Sequence, residues 1–362
     1  MFLLKQENIA KEREMRCIQA SGSFYKVGKQ VGERCKDDIA DVYKRTVSYL
    51  LKYTKIGSVA RMHEVAAYYM LEAKRLWAPS FEFLSGMAKG AGVTMNKIAL
   101  TAFSEEVSSE KCSTLVSRLL NGNHLIIHNE DFPPEFGSLI MLDVTFDGYP
   151  RFVCLTYIGQ LPSLAGSLNV CGVATTNNGL WPDAQPGWSK QVLHFRASLA
   201  RSLDEAEERL MRRPTSLTTH YVVAYGPTHQ VDSLAVSNFQ TSHREVTLLP
   251  IKGASFCHTN HVLPGYLGLK MSDPAVENSP NSFSRYDKLN NLTLEELPRT
   301  PQEAFKLFAN QDDDNVLFRK PKKEGESGTK ATVVICAETL EFWVRDANTL
   351  AMPRDQYICL RV

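Results

Sequence analysis

Two stretches carry residue types that could do chemistry together: Cys112-Ser113-Thr114 and His128-Asn129-Glu130-Asp131. Between them lie the turn signal Asn121-Gly122 and the apolar run Leu125-Ile126-Ile127. Strands on either side of an Asn-Gly pair read as a hairpin. A hairpin returns its far end to its start, so Asp131 is expected near Cys112. A thiol facing a carboxylate and its polar neighbours suits nucleophilic chemistry. Taken singly, each residue also has a plain structural reading. Most cysteines are small buried hydrophobes, and a carboxylate ending a strand is often a turn cap.

The chain before Cys112 reads as helices. Glycines 22, 28 and 32 mark a strand passing into a helix with close backbone packing. A helix is expected at about 33–54, with Ile39, Val42, Tyr43, Val47, Leu50 and Leu51 at helical spacing. A second, at about 62–77, is broken by Pro79. A third, within 80–93, closes on Gly90 and Gly92. Thr94 is a plausible N-cap for a fourth, at about 95–107.

From Cys112 the pattern turns to strands, near 113–118, 123–129, 139–147, 151–158 and 167–176. A loop with Pro182, Asp183, Pro186 and Gly187 follows Trp181. Helical spacing resumes at 190–213, divided by the capping box Ser202-Leu203-Asp204-Glu205. Strands return at 219–226, 231–238 and 244–250, then 264–330 reads as loop with a helix near 301–310. Two strands, 332–337 and 340–345, form a last hairpin. Periodicity alone gives a mixed α and β chain.

Hydrophobic content of 43% and charged content of 22% are ordinary for a globular chain. A net charge of +1 argues against a dedicated nucleic-acid surface. No apolar run approaches the roughly 18 residues of a membrane span. The start, Met1-Phe2-Leu3-Leu4-Lys5, lacks the apolar core of a secretory signal, so a cytoplasmic setting is expected. The eight cysteines show no metal-ligand spacing and are expected as reduced thiols, with Cys154 and Cys171 in the core. Asn291-Leu292-Thr293 is read as a chance glycosylation triplet. Asp312-Asp313-Asp314 lacks an EF-hand loop and reads as a solvated turn. No metal and no cofactor is expected.

The Gly-rich start, the stretch Leu84-Ser85-Gly86-Met87-Ala88-Lys89-Gly90-Ala91-Gly92-Val93, Cys112 through Phe132, Asn260 and Arg285 together resemble one family. It is the penicillin acyltransferase-like family, also called isopenicillin N acyltransferase or acyl-CoA:6-aminopenicillanic acid acyltransferase. That family is a branch of the N-terminal nucleophile (Ntn) hydrolases. Bile-salt hydrolases and acid ceramidase are more distant relatives. The resemblance implies an α+β, four-layer αββα sandwich. It also implies self-cleavage between Lys111 and Cys112. Residues 1–111 would then be a small helical chain and 112–362 the catalytic chain, paired as one domain.

The resemblance also assigns roles. Cys112 is the nucleophile and its freed α-amine the base; pKa values of about 8.5 and about 7.7–8.0 make that transfer easy without a histidine. Asp131 holds the amino group. Asn260, within His258-Thr259-Asn260-His261, is the oxyanion donor; the flanking histidines alone would suit a zinc half-site, which no third ligand cluster supports. Arg285, in Ser284-Arg285-Tyr286, organises Cys112 and Asp131 and favours the thiolate; alone it reads as a surface ion-pair partner. His128, Asn177, Asn178 and Ser284 are expected to line the substrate or oxyanion side, although Asn178-Gly179 is also a plain turn signal. Many relatives have glycine just before the nucleophile, where this chain has Lys111, which restricts the backbone there.

The expected activity is that of a self-processing cysteine amidohydrolase cleaving the C–N amide bond of a small N-acyl amine. A β-alanyl amine is the example, as for β-alanyl-dopamine and carcinine hydrolases. One alternative is an N-acyltransferase using acyl-CoA with the same nucleophile. The other is an uncleaved, inactive relative that serves as a binding protein, which Lys111 keeps open. No nucleic-acid or membrane partner is expected, only substrate and the association of the two cleavage fragments.

Overall fold

Helical and alternating stretches sort into layers around the hairpin that carries Cys112. The structure, a computed structural model, describes residues 15–106, 111–180, 184–212, 214–236, 246–263, 266, 280–312, 314–347 and 358–362. Strand β1 (Arg16–Gly22) leads into α1 (Phe24–Arg34), α2 (Lys36–Tyr53), α3 (Val59–Leu76), α4 (Ala78–Ala91) and α5 (Met95–Ala102). A 3-10 turn, Ser104–Glu106, comes before β2 (Lys111–Arg118) and β3 (His124–Phe132). Next are β4 (Leu139–Phe146), β5 (Phe152–Tyr157), β6 (Ser167–Asn169), β7 (Val173–Leu180), α6 (Lys190–Ser198) and α7 (Leu203–Leu210). Strands β8 (Thr218–Tyr225), β9 (Gln230–Val236), β10 (Val246–Pro250) and β11 (Ser255–His258) follow. The rest is α8 (Pro280–Asn290), α9 (Pro301–Phe308), β12 (Gly328–Cys336), β13 (Glu341–Asp346) and β14 (Ile358–Arg361).

One sheet runs β1-β4-β5-β6-β7-β8-β9-β10 and the other β11-β2-β3-β12-β13-β14. Helix α1 lies on β1 and β4, α6 on β6 and β7, and α7 on β8 and β9. On the other side α8 lies on β11 and β2, and α9 on β3 and β12. The sheets meet where β2 crosses β7 and β6 meets β13. This is the αββα sandwich. Both faces of the central strands are covered, so β3, β5 and β12 are buried at every residue. Among the described residues no helix is long and apolar enough to cross a membrane.

The early glycines have a packing reason. A Cβ on Gly28 would lie 2.0 Å from the Phe83 carbonyl oxygen, and one on Gly86 2.0 Å from that of Tyr25. Helices α1 and α4 therefore touch backbone to backbone, and Phe24 stacks on Phe146 at 4.2 Å below them.

Several expected boundaries move. The helix expected at about 33–54 is α2, and the helix expected after Gly22 is α1, the two separated at Cys35 (φ −114°, ψ 18°). The single strand expected at 167–176 is β6 and β7, divided by a turn with Gly172 at φ +80°. Cys171 sits half-exposed in that turn rather than in the core, whereas Cys154 is buried. Strands β11 and β14 and helix α8 are additions to the expected set. Ser202 caps α7 as expected, its Oγ accepting from Glu205 N, but Glu205 Oε2 accepts from Arg201 N, one residue ahead of the N–H a full capping box would use. Asp312 and Asp314 are exposed; Asp313, and the loop expected at 181–183, lie outside the described residues.

Gly86→Ala forces a methyl group into the Tyr25 carbonyl, and overpacking of this kind costs about 1–3 kcal/mol or more. Its urea midpoint should fall with the m-value unchanged. A midpoint equal to wild type would show that the two helices are free to separate.

Candidate active site

Register decides which side chains meet. In the β2–β3 pair Cys112 is opposite Glu130, Thr114 opposite His128, Ser113 opposite Asn129 and Lys111 opposite Asp131. Opposed residues share a face of the sheet, and neighbours along a strand do not. Cys112, Thr114, His128 and Glu130 face the other sheet. There Tyr157 OH of β5 donates to Glu130 Oε1 (3.1 Å), and Thr114 Oγ1 donates to Asn178 Oδ1 of β7 (2.7 Å). Asn129 and Asp131 face the outer helical layer, where Asn129 Nδ2 donates to the Phe308 carbonyl (3.1 Å). The residue directly across from the thiol is thus Glu130, one position before Asp131.

On the inner face Cys112 Sγ donates to Glu130 Oε2 at 3.7 Å. The same oxygen is 3.3 Å from His128 Nε2, and His128 Nδ1 is 2.9 Å from Thr114 Oγ1. Cys112, His128, Glu130 and Tyr157 are all buried. Burial pushes the Cys112 thiol well up, Glu130 and Asp131 push it further, and an Asp131 backbone N–H and Arg285 oppose this more weakly. The resting sulfur is therefore a thiol, not a thiolate. Sγ, His128 Nε2 and Glu130 Oε2 all lie within 4.8 Å of one another, a spacing that a divalent ion could bridge. Hydrogen bonds within the group already satisfy all three atoms.

The outer face is organised by Arg285, fully buried on α8. Its Nη1 donates to the Cys112 carbonyl oxygen and to Ser113 Oγ (2.6 Å). Its Nη2 donates to Asn260 Oδ1 (2.8 Å) and its Nε to Asn281 Oδ1 (2.9 Å). Asn260 Oδ1 also accepts the Cys112 backbone N–H at 2.8 Å, while Asn260 Nδ2 donates to the Gly179 carbonyl at 2.9 Å. Asp131 Oδ1 accepts from Thr329 Oγ1 (2.7 Å). Its Oδ2 lies 3.9 Å from both Arg285 Nη1 and Arg319 Nη1, without a hydrogen bond. Burial lowers Arg285 to about 10, with Asp131 the main force holding its charge. Burial raises Asp131, against the pull of Arg319 and Arg285.

These positions follow from neighbouring elements. Strand β11 pairs with β2, placing His258 opposite Thr114, so the chain leaving β11 carries Asn260 to the Cys112 peptide. Ser282 Oγ, on α8, accepts the Asn260 N–H at 2.8 Å and meets His261 Nδ1 at 2.9 Å. Burial holds His258 down at about 3 and His261 at about 4, so both rings are neutral. The two rings are 6.5 Å apart, and His258 stacks on His220 rather than converging with His261 on one point.

Asn178 joins the inner face through Thr114. Asn177 points the opposite way: it donates to the Leu164 carbonyl (2.6 Å), contacts His194 and accepts from Lys190 Nζ (3.2 Å). It is therefore not beside Cys112. Ser284 is exposed on α8, and Ser282 is the serine that reaches the site. Lys111 is placed by its backbone in β2. Glu130, Tyr157, Ser113, Ser282 and Arg319 are additions to the expected set. Two of these were within reach of spacing rules: counting the hairpin register gives Glu130, and the i−3 position from Arg285 gives Ser282.

This chain thus sets a thiol near the head of a central strand, in paired sheets between helical layers. It belongs to the family described as acyl-coenzyme A:6-aminopenicillanic acid acyl-transferase, whose family model matches residues 119–350. Asp131, Asn260 and Arg285 lie inside the matched span and Cys112 just ahead of it. Among solved structures the chain is similar to a mutant conjugated bile acid hydrolase from Clostridium perfringens, with 12% identity and a TM-score of 0.42, covering 69% of this chain and 92% of that one. It is similar to the Caenorhabditis elegans ortholog of N-acylethanolamine-hydrolyzing acid amidase, with 13% identity and a TM-score of 0.41, covering 63% and 93%. It is also similar to penicillin V acylase from Agrobacterium tumefaciens, with 12% identity and a TM-score of 0.42, covering 65% and 83%. No curated protein matches the chain.

Two buried acids lie on the 3-10 turn ahead of Cys112. Glu105 Oε2 is 2.9 Å from Lys190 Nζ, and Glu106 Oε1 accepts from Ser216 Oγ at 3.4 Å. Burial lifts the Glu106 carboxyl to about 7. A folded pKa above the unfolded value means that the unfolded chain loses its proton first. Stability therefore falls as pH rises from about 4 to about 7, and the loss persists above that. Glu106→Gln should stabilise the protein more at pH 8 than at pH 5, by a margin whose ceiling is on the order of 3 kcal/mol. Urea midpoints at the two pH values check it; a margin independent of pH would refute it.

Proposed function

We propose that this protein is a self-processing cysteine amidohydrolase. It cuts its own Lys111–Cys112 bond and then hydrolyses the C–N amide bond of a small N-acyl amine, a β-alanyl amine being the type expected. The observation that carries this reading is the double grip on the Cys112 peptide. Asn260 Oδ1 holds its nitrogen at 2.8 Å and Arg285 holds its carbonyl oxygen. The atom that would become the α-amine is already seated beside the proposed oxyanion donor.

After the cut, that amine takes the Sγ proton and the thiolate attacks the substrate carbonyl carbon. Asn260 Nδ2, released from the Gly179 carbonyl, stabilises the oxyanion together with a backbone N–H. The α-ammonium protonates the leaving amine, and water releases the acyl group from the thioester. Asp131 Oδ2, which accepts no hydrogen bond, would receive the α-ammonium once Lys111 leaves its cross-strand position. Residues 1–111 stay attached as the small chain because β1 pairs with β4 from Arg16 to Gly22.

Membership of an acyl-transferase family favours a second reading, transfer of the acyl group from acyl-CoA to an amine. Both reactions share the thioester on Cys112, so acyl transfer from CoA compared with plain amide hydrolysis on the purified protein separates them.

Intact mass should show two fragments, the larger beginning at Cys112, and a single species for Cys112→Ala. Wild type that stays whole yet hydrolyses amides would overturn the amine-base mechanism. Asn260→Ala should lower kcat by about 10²–10³ in processed enzyme; an unchanged kcat would remove Asn260 from the oxyanion site.

A further inference from the structure

The α-amine cannot assist the first cut, because that nitrogen is still a peptide nitrogen. Burial and two nearby carboxylates keep the thiol protonated. Another group must take its proton. We propose that Glu130 is the proton acceptor, and then the proton donor, of self-cleavage. The inference rests on the reading of the chain as self-processing.

Geometry singles out this carboxylate. Glu130 lies directly across from Cys112, with Oε2 3.7 Å from Sγ. Tyr157 OH fixes Oε1 at 3.1 Å, and His128 Nε2 approaches Oε2 at 3.3 Å. His128 is itself held by Thr114, which is held by Asn178. The carboxylate is thus anchored from β5 and from its own strand, with one oxygen turned to the sulfur. Every member of this chain is buried. The neighbouring acids are committed elsewhere. Asp131 turns to the outer face, toward Thr329, Arg285 and Arg319, and Glu105 pairs with Lys190.

The step balances without an added reactant until its last stage. Glu130 Oε2 takes the Sγ proton, and the thiolate adds to the Lys111 carbonyl carbon, forming a C–S bond. The tetrahedral intermediate collapses by breaking the Lys111–Cys112 C–N bond, and the proton on Glu130 passes to the departing nitrogen. The products are a thioester on Sγ and the α-amine of Cys112. Water then hydrolyses the thioester, freeing the Lys111 carboxylate and returning the thiol.

The test follows cleavage of freshly synthesised full-length chain by intact mass over time, for wild type, Glu130→Gln and Tyr157→Phe. Circular dichroism and thermal melting check folding of each. Glu130→Gln should cut at least about 100-fold more slowly, the usual scale for a lost general base. Hydroxylamine, which cleaves thioesters, should not rescue it, because the thioester never forms. Tyr157→Phe removes the donor that fixes Oε1, so Oε2 loses its fixed aim at the sulfur; cutting should slow on the order of 10-fold, with no hydroxylamine-sensitive thioester accumulating. That variant alters a single hydroxyl and decides the matter if Glu130→Gln does not fold. A wild-type rate in Tyr157→Phe or in Glu130→Gln, or a hydroxylamine-sensitive thioester accumulating in either, would each overturn the assignment. A wild-type chain that never cuts overturns the self-processing reading as well. Cutting of both wild type and Glu130→Gln at one rate overturns only the role of Glu130.

Discussion

A guanidinium shut away from water holds this site together. Taking a cation out of water costs several kcal/mol even after relaxation, and only well-placed partners offset that. Arg285 has them: the Cys112 carbonyl, Ser113 Oγ, Asn260 Oδ1 and Asn281 Oδ1, with the Asp131 carboxylate close behind. These groups come from β2, from the segment after β11 and from α8, which are far apart in sequence. The planar fork of an arginine can serve all of them at once, and a lysine ammonium cannot. At about 10 the pKa is lowered but still far above neutrality, so the charge persists while the Cys112 peptide is held.

That anchor acts on one side of the strand and the Cys112 sulfur sits on the other. Arg285, Ser113 and Asp131 lie on the outer side of β2 and β3, and the Cys112 sulfur, Glu130, His128 and Thr114 lie between the sheets. A strand's alternation makes this division possible, since adjacent residues serve opposite faces. The inner side is dry, which strengthens each polar contact there and equally penalises an unpaired charge. A thiol in such a place stays protonated until a base is delivered to it. In the proposed mechanism Glu130 is that base for the first cut, and the amine of the opened peptide is the base afterwards.

Much of this was legible in the sequence because periodicity is local. The hairpin around Asn121-Gly122, the α6–α7 break at Ser202 and the helical start all follow from spacing and capping. The glycines at 28 and 86 show as a sequence feature because two backbones touch there. What stayed hidden depends on tertiary structure or on parity. Strand β11 has four residues and gains its pairing only from β2, and α8 takes its place by burying Arg285. The split of β6 from β7 turns on the positive φ of Gly172. Parity accounts for Glu130 against Asp131 and for Asn178 against Asn177: in each pair one neighbour faces the sulfur's side and the other turns away. On α8 the matching rule is 3.6 residues per turn, which puts Asn281 and Ser282 with Arg285 and leaves Ser284 outside. Tyr157 carries no local signal at all, since it reaches Glu130 from the other sheet.

The lysine before Cys112 is best understood from its place in β2. Lys111 is the first residue of that strand and pairs with Asp131. Extended backbone is open to every residue, so nothing in this register demands a glycine. A glycine would permit a strained, left-handed peptide before the cysteine, and strain of that kind is one way to weaken a bond. A strand-paired lysine removes that route. Under the proposed self-cleavage, the peptide between Lys111 and Cys112 would be opened by the groups fixed around it: the amide that holds its nitrogen, the guanidinium on the next carbonyl, and the carboxylate facing the sulfur. Polar preorganisation of this sort needs no distortion of the strand, and so is compatible with the side chain found there.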